Sequence, residues 1–148
     1  MCQQITGDGQ VLALDIHTGT TRWSAQVGGF DSMSSAAVVG NMIYVGFGDS
    51  NYLHALNAGT GQLAWQTKLG RGSSPPAYKA GITMIHNCVV YVGSPATSTF
   101  YALRESDGTV LSKLTIPGTG PAGAGRGGAA FYHRLARSWT KAVRHQPC

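Results

Sequence analysis

The chain contains six carboxylates, five histidines and three cysteines. A metal centre, an acid–base pair or a nucleophile would have to be assembled from these. Four of the carboxylates read as turn residues: Asp8 precedes Gly9, Asp15 lies in a repeated turn, Asp49 sits in Gly-Asp-Ser, and Asp107 precedes Gly108. A hard cation such as calcium asks for about 6–8 oxygen ligands with carboxylates clustered around it, so turn roles are the stronger reading. His17, His54, His86, His133 and His145 show no metal-ligand spacing. Surface or internally bonded roles are expected for His17, in a turn, and His54, on a strand. Cys2, Cys88 and Cys148 form no Cys-x-x-Cys pair, which argues against a zinc site or a disulfide framework, and their odd number suits a reducing compartment. Gly93-Ser-Pro-Ala lacks the frame of a nucleophile elbow. The glycines of 118–128 lack the Lys-Ser/Thr that completes a phosphate loop. No catalytic residue and no metal site is expected.

What recurs instead is tryptophan and its surroundings. Three segments align: Val11 to Trp23, Tyr52 to Trp65, and Phe100 to Lys113. Their Ala-Leu pairs begin at Ala13, Ala55 and Ala102, spacings of 42 and 47. Periods of about 40–50 residues match one four-stranded propeller blade. Between the copies, Ser34 to Gly46 and Ser73 to Gly93 each pair a short strand with an apolar one, Met42–Val45 and Cys88–Val92. An insertion around Tyr78–His86 accounts for the longer second period.

These signals place four strands per blade. An entry strand is expected near 36–39, a buried strand near 42–46, an Ala-Leu strand over 52–57 and a Trp strand over 62–68. Gly40-Asn41 suits a two-residue hairpin turn. Asn57-Ala-Gly-Thr-Gly61 supplies glycines for positive φ, and Thr60 can bond the local backbone. Helical periodicity is not seen before residue 130. Gly at 21 of 148 residues and a charged fraction of 11% agree with an all-β chain rich in turns.

The repeat resembles the pyrroloquinoline-quinone (PQQ) type of propeller repeat, whose core reads A-x-D-x-x-T-G-x-x-x-W. The first copy matches it fully with Ala13, Asp15, Thr18, Gly19 and Trp23. The second has Ala55, Asn57 in the Asp position, Thr60, Gly61 and Trp65, and its turn is read as one residue longer. The third keeps Ala102 and Gly108, has Asp107 where Thr is usual, and lacks the Trp. In that family these are structural residues: the resemblance implies that Trp packs between neighbouring blades over the small Ala, while Asp and Thr tie down the turn. An indole buries a large apolar area and needs a partner for its N–H; the competing reading of Trp23 and Trp65 is a platform for stacking a substrate.

The resemblance implies an all-β, incomplete β-propeller of four-stranded antiparallel, quinoprotein-like blades. Residues 1–117 would form about 2.5–3 blades, against the ~4–8 of a ring. The two outer faces, with their Trp docking surfaces, would then need covering by remaining blades or a protein partner, as in a fragment of a larger propeller. The expected function is a non-catalytic binding or scaffold segment. The alternative is part of a PQQ-dependent, polyvinyl-alcohol-like alcohol dehydrogenase. In such enzymes PQQ and calcium sit on the propeller axis, so no cofactor is expected for this chain and both groups only for a complete parent.

Residues 118–128 have linker composition, and 129–148 read as a basic amphipathic helix or a disordered tail. Phe131, Leu135, Trp139 and Val143 draw one apolar stripe. Five basic residues and no acid lie in 118–148, so the excess positive charge belongs to the tail. Contact of this tail with an anionic membrane surface is the weaker reading beside padding an exposed blade face. Nothing suggests nucleic-acid binding. Without a signal peptide or a membrane-spanning stretch in the sequence, a cytoplasmic location is the default.

Overall fold

The computed structural model describes residues 2–5, 9–28, 36–46, 52–70, 83–94 and 99–115, with side chains for all of these except 2–5, 83–84 and 94. The expected linker at 118–128 and the helix or tail at 129–148 lie outside them.

Eleven strands are present among the described residues: β1 (Cys2–Ile5), β2 (Gln10–Leu14), β3 (Thr21–Gln26), β4 (Ala37–Val39), β5 (Met42–Gly46), β6 (Tyr52–Asn57), β7 (Leu63–Lys68), β8 (Thr83–His86), β9 (Val89–Ser94), β10 (Thr99–Arg104) and β11 (Val110–Thr115). They form three separate antiparallel meanders, β1-β2-β3, β4-β5-β6-β7 and β8-β9-β10-β11. This is the partial propeller, and the three Ala-Leu strands β2, β6 and β10 belong to three different sheets.

The sheets repeat one another in detail. Ala13 pairs with Trp23, Ala55 with Trp65 and Ala102 with Ser112, and after each pair the register slips by one residue. Such a bulge bends the outer strand and sharpens its local twist. The turns that follow are closed alike, by Gly19 to Asp15, Gly61 to Asn57 and Gly108 to Arg104 backbone bonds. The second turn is therefore not longer, and that expectation is corrected: the same number of residues separates Ala from Trp in both copies.

Side-chain alternation along a strand sends successive residues to opposite faces. In the middle blade this splits one apolar run between two cores. Ile43, Val45 and Leu56 join Val11 and Trp23 on one side. Tyr44, Leu53 and Ala55 join Val90, Val92, Tyr101 and Leu103 on the other. The main cores thus lie between blades, which is why β5 carries apolar side chains on both faces rather than alternating with polar ones. Each fully buried aliphatic side chain there contributes about 1.5–3 kcal/mol of transfer free energy.

Two details differ from the sequence reading. The third blade's apolar strand begins at Val89, and Cys88 occupies the preceding hairpin turn, with Asn87 and Cys88 at φ 49° and 60°. Two successive positive-φ residues give the turn whose twist matches a tight hairpin. Cys88 is also disulfide-bonded, against the expectation from cysteine spacing; its partner's side chain lies outside those described. Distance along the chain is a poor guide to distance in a fold whose sheets stack.

Candidate functional site

Of the residues singled out by the repeat, Trp23 and Gly61 meet at one blade junction and Trp65 and Gly108 at the other. Trp23 lies between the first and second sheets, and its Nε1–H donates to the Ala58 carbonyl at 3.0 Å. Trp65 lies between the second and third sheets and donates to the Glu105 carbonyl, also at 3.0 Å. Ala58 and Glu105 hold equivalent turn positions, and their own N–H groups are bound by the Asn41 and Cys88 carbonyls. Each indole is half-buried, with its one polar atom satisfied, which removes the desolvation cost of burying it.

Ala13 and Ala55 are fully buried beside the tryptophans they pair with. Each ring also covers a glycine of the next blade. A Cβ added at Gly61 would collide with the Trp23 ring, and one added at Gly108 would collide with the Trp65 ring and the Thr67 hydroxyl. Both glycines carry positive φ, 74° and 72°, so only glycine meets the backbone and the packing demand together. Gly19 has the same conformation, φ 71°, yet nothing lies within 4 Å of a Cβ built on it.

Asp15, Asn57, Thr18 and Thr60 hold the turns. Asp15 Oδ1 accepts from the His17 and Thr18 N–H groups, and Asn57 Oδ1 accepts from Gly59 and Thr60 in the same way. Thr18 and Thr60 hydroxyls accept from the N–H two residues on. In the third blade Asp107 takes over the threonine's bond, accepting from Thr109 N–H at 2.8 Å, while Arg104 in the Asp position pairs with the Asp107 carboxylate at 2.9 Å. These backbone N–H donors, assisted by Arg22 for Asp15 and by Arg104 for Asp107, hold both carboxyls below the usual carboxylate value. Ala102 is buried against Val89 and Tyr91.

The second junction has parts that the repeat motif did not indicate. The Tyr44 hydroxyl donates to Glu105 Oε1 at 3.1 Å, and the Thr67 hydroxyl donates to the Gly108 carbonyl at 2.7 Å. The Tyr44 and Trp65 rings lie 5.8 Å apart, tilted by 46°. Burial first, and the Glu105 charge second, push the Tyr44 hydroxyl's pKa well up. The available signal was Tyr44 standing opposite Ala55 in the register, visible only once β5 and β6 were paired. His54 is buried, bonded to the Val45 backbone and to Gln66, and desolvation holds its pKa below the ordinary value.

Among the described residues no group of three or more His, Cys, Asp or Glu is placed to hold a metal ion. Asp15, Glu105 and Asp107 are each engaged locally, in a turn or at a junction, and do not converge. This donor set does not fit calcium, which needs clustered oxygens.

A family sequence model described as outer membrane protein assembly factor BamB matches residues 3–76, half of the 148-residue chain. Tetrathionate hydrolase of Acidithiobacillus ferrooxidans is 41% identical over 86 residues, covering 58% of this chain and 17% of that protein. Outer membrane protein assembly factor BamB of Escherichia coli (strain K12) is 34% identical over 109 residues, covering 68% of this chain and 27% of that protein. Among solved structures, BamB from Moraxella catarrhalis superposes with a TM-score of 0.64 at 22% identity, over 75% of this chain and 33% of that one. The chain spans about a sixth to a third of the length of these proteins.

Proposed function

The chain belongs to the PQQ-type propeller repeat family described as outer membrane protein assembly factor BamB, and from that premise we propose that its blades act as a non-catalytic binding and scaffold segment of a larger propeller protein. The observation that carries this reading is the use to which the repeat residues are put. Trp23, Trp65, Asp15, Asn57, Thr18 and Thr60 are all engaged in holding turns and joining blades. What remains for function is the surface that the joined sheets present, which suits recognition of a protein partner. The similarity to BamB, an assembly factor by its name, supports the same reading.

A second reading follows from the tetrathionate hydrolase likeness and from the quinoprotein repeat type: the segment is part of an enzyme's propeller. Among the described residues no cluster of three or more His, Cys, Asp or Glu is placed to hold a metal ion. The two readings separate in one set of measurements on the purified 148-residue chain. The scaffold reading expects a single identified protein to co-purify at defined stoichiometry. It also expects no tetrathionate hydrolysis and no dye-linked alcohol oxidation after addition of PQQ and calcium. Turnover in either assay would overturn it for this chain.

A further inference from the structure

The third sheet has two faces, and only one of them has a described neighbour. Val90, Val92, Tyr101 and Leu103 pack against the second sheet. Val89, Tyr91 and Ala102 point the other way and form a cluster of their own. Among the described residues no sheet is stacked on that side, yet these three residues are only 3%, 6% and 0% exposed. The open face of the first sheet behaves differently, for there Leu12 and Leu14 stay only half-buried. A sheet face is buried by whatever packs on it, so a part of the chain outside the described residues covers the third sheet.

A second observation lies at the rim of the same face. Cys88, which precedes Val89 in the turn between β8 and β9, is disulfide-bonded. The chain has two other cysteines, Cys2 and Cys148. Cys2 begins β1 in the first sheet. The second sheet stands between the first and the third, with one interblade core on each of its faces. Sheets packed face to face lie about 10 Å apart, whereas a disulfide holds its Cα atoms within about 4.4–6.8 Å of each other. Cys2 is therefore out of reach, which leaves Cys148.

We propose that residues 129–148 cap the open face of the third sheet and are held there by a disulfide between Cys88 and Cys148. The chain leaves β11 of this same sheet at Thr115 and has only to fold back onto it. The stripe Phe131, Leu135, Trp139 and Val143 offers an apolar side to an apolar face. Room for a bulky ring is present, because Ser112 stands opposite Ala102 where the other two sheets carry Trp23 and Trp65. Closing the bond joins the two Sγ atoms. The two thiol protons and two electrons pass to a small-molecule disulfide, which leaves as two thiols. The cap takes the face on which a following blade would pack, so the two compete for it. This goes beyond the scaffold reading and holds whether the parent is a scaffold or an enzyme.

Tryptic mapping of the oxidised 148-residue chain without reductant reads the pairing directly. Cleavage after Lys79, Arg104 and Arg144 should leave residues 80–104 joined to 145–148 in one species that splits on reduction. A bond from Cys88 to residues 1–22, a free Cys88 thiol, or a disulfide between two copies overturns the proposal. Hydroxyl-radical footprinting reads what covers the face. Tyr91 should be protected in the oxidised chain. Reduction of the wild type, which alters no residue, should raise its labelling several-fold, and Trp139→Ala in the reduced chain should raise it further. Tyr44, buried at the second junction, should stay protected in the reduced wild type. Tyr91 labelling that neither change raises would show that another segment covers the face and overturn the cap.

Discussion

Glu105 is gripped by Trp65 through its backbone and by Tyr44 through its side chain: the indole N–H reaches the Glu105 carbonyl at 3.0 Å and the phenol reaches its carboxylate at 3.1 Å. Both donors come from the second sheet and the acceptor from the third. The junction thus combines apolar burial with two directional bonds, and the bonds fix the angle at which burial occurs.

Removing either indole should cost more than an ordinary surface change. Trp23→Ala and Trp65→Ala are each expected to destabilise by about 3 kcal/mol, the range for emptying a large aromatic site. Trp65 should cost the more, because Tyr44 packs against it. Urea unfolding followed by far-ultraviolet circular dichroism measures both, and a loss below half a kilocalorie, about what a surface change gives, would contradict a wedge role.

Tyr44→Phe and Glu105→Gln should each cost about 1 kcal/mol. The double variant should lose less than the sum, since one bond is shared. The Tyr44 pKa is raised in the fold. Its contribution is therefore full below the unfolded tyrosine value of about 10 and is lost as pH climbs above it. Stability measured from pH 8 to 11 should fall more steeply for wild type than for Tyr44→Phe.

At the acid end the turn carboxylates contribute. Asp15 and Asp107 have lowered pKa values, through backbone N–H bonds first. Their stabilisation is present above the ordinary carboxylate range and declines as pH falls below it. Both groups are solvent-exposed, so the effect is a modest slope. Asp15→Asn should flatten it while keeping the turn, as Asn57 does the same work uncharged in the second blade.

His54 acts in a separate window. Its pKa is lowered, by desolvation above all, so the unfolded chain binds a proton that the folded chain refuses. Stability should decline as pH drops from 7.5 through the ordinary histidine value of about 6.5. His54→Gln should remove that decline in a thermal-melt series; an unchanged slope would place the histidine outside the core.

Much of this fold was legible in the residues. The entry, buried, Ala-Leu and Trp strands of the second blade fall at 37–39, 42–46, 52–57 and 63–68, because apolar runs bounded by glycine turns are local signals. The Trp junctions were implied by the repeat resemblance. Tyr44–Glu105 was hidden because it joins residues 61 apart in different sheets, and neither belongs to the repeat's core pattern. Cys88 was misplaced on a strand because an Asn-Cys turn lacks glycine. Its disulfide was missed because the spacing of Cys2, Cys88 and Cys148 carries no pairing signal.

The blade period differs by five residues between the copies, yet the distance from Ala to Trp does not, and neither does the bulge that aims the ring. All the variation is confined to the connection between one sheet's last strand and the next sheet's first. The coupling between blades is therefore a standard fitting, indifferent to the length of tubing that joins the parts. Repeats of this kind accept connections of different length while the pairing that aims the ring stays the same.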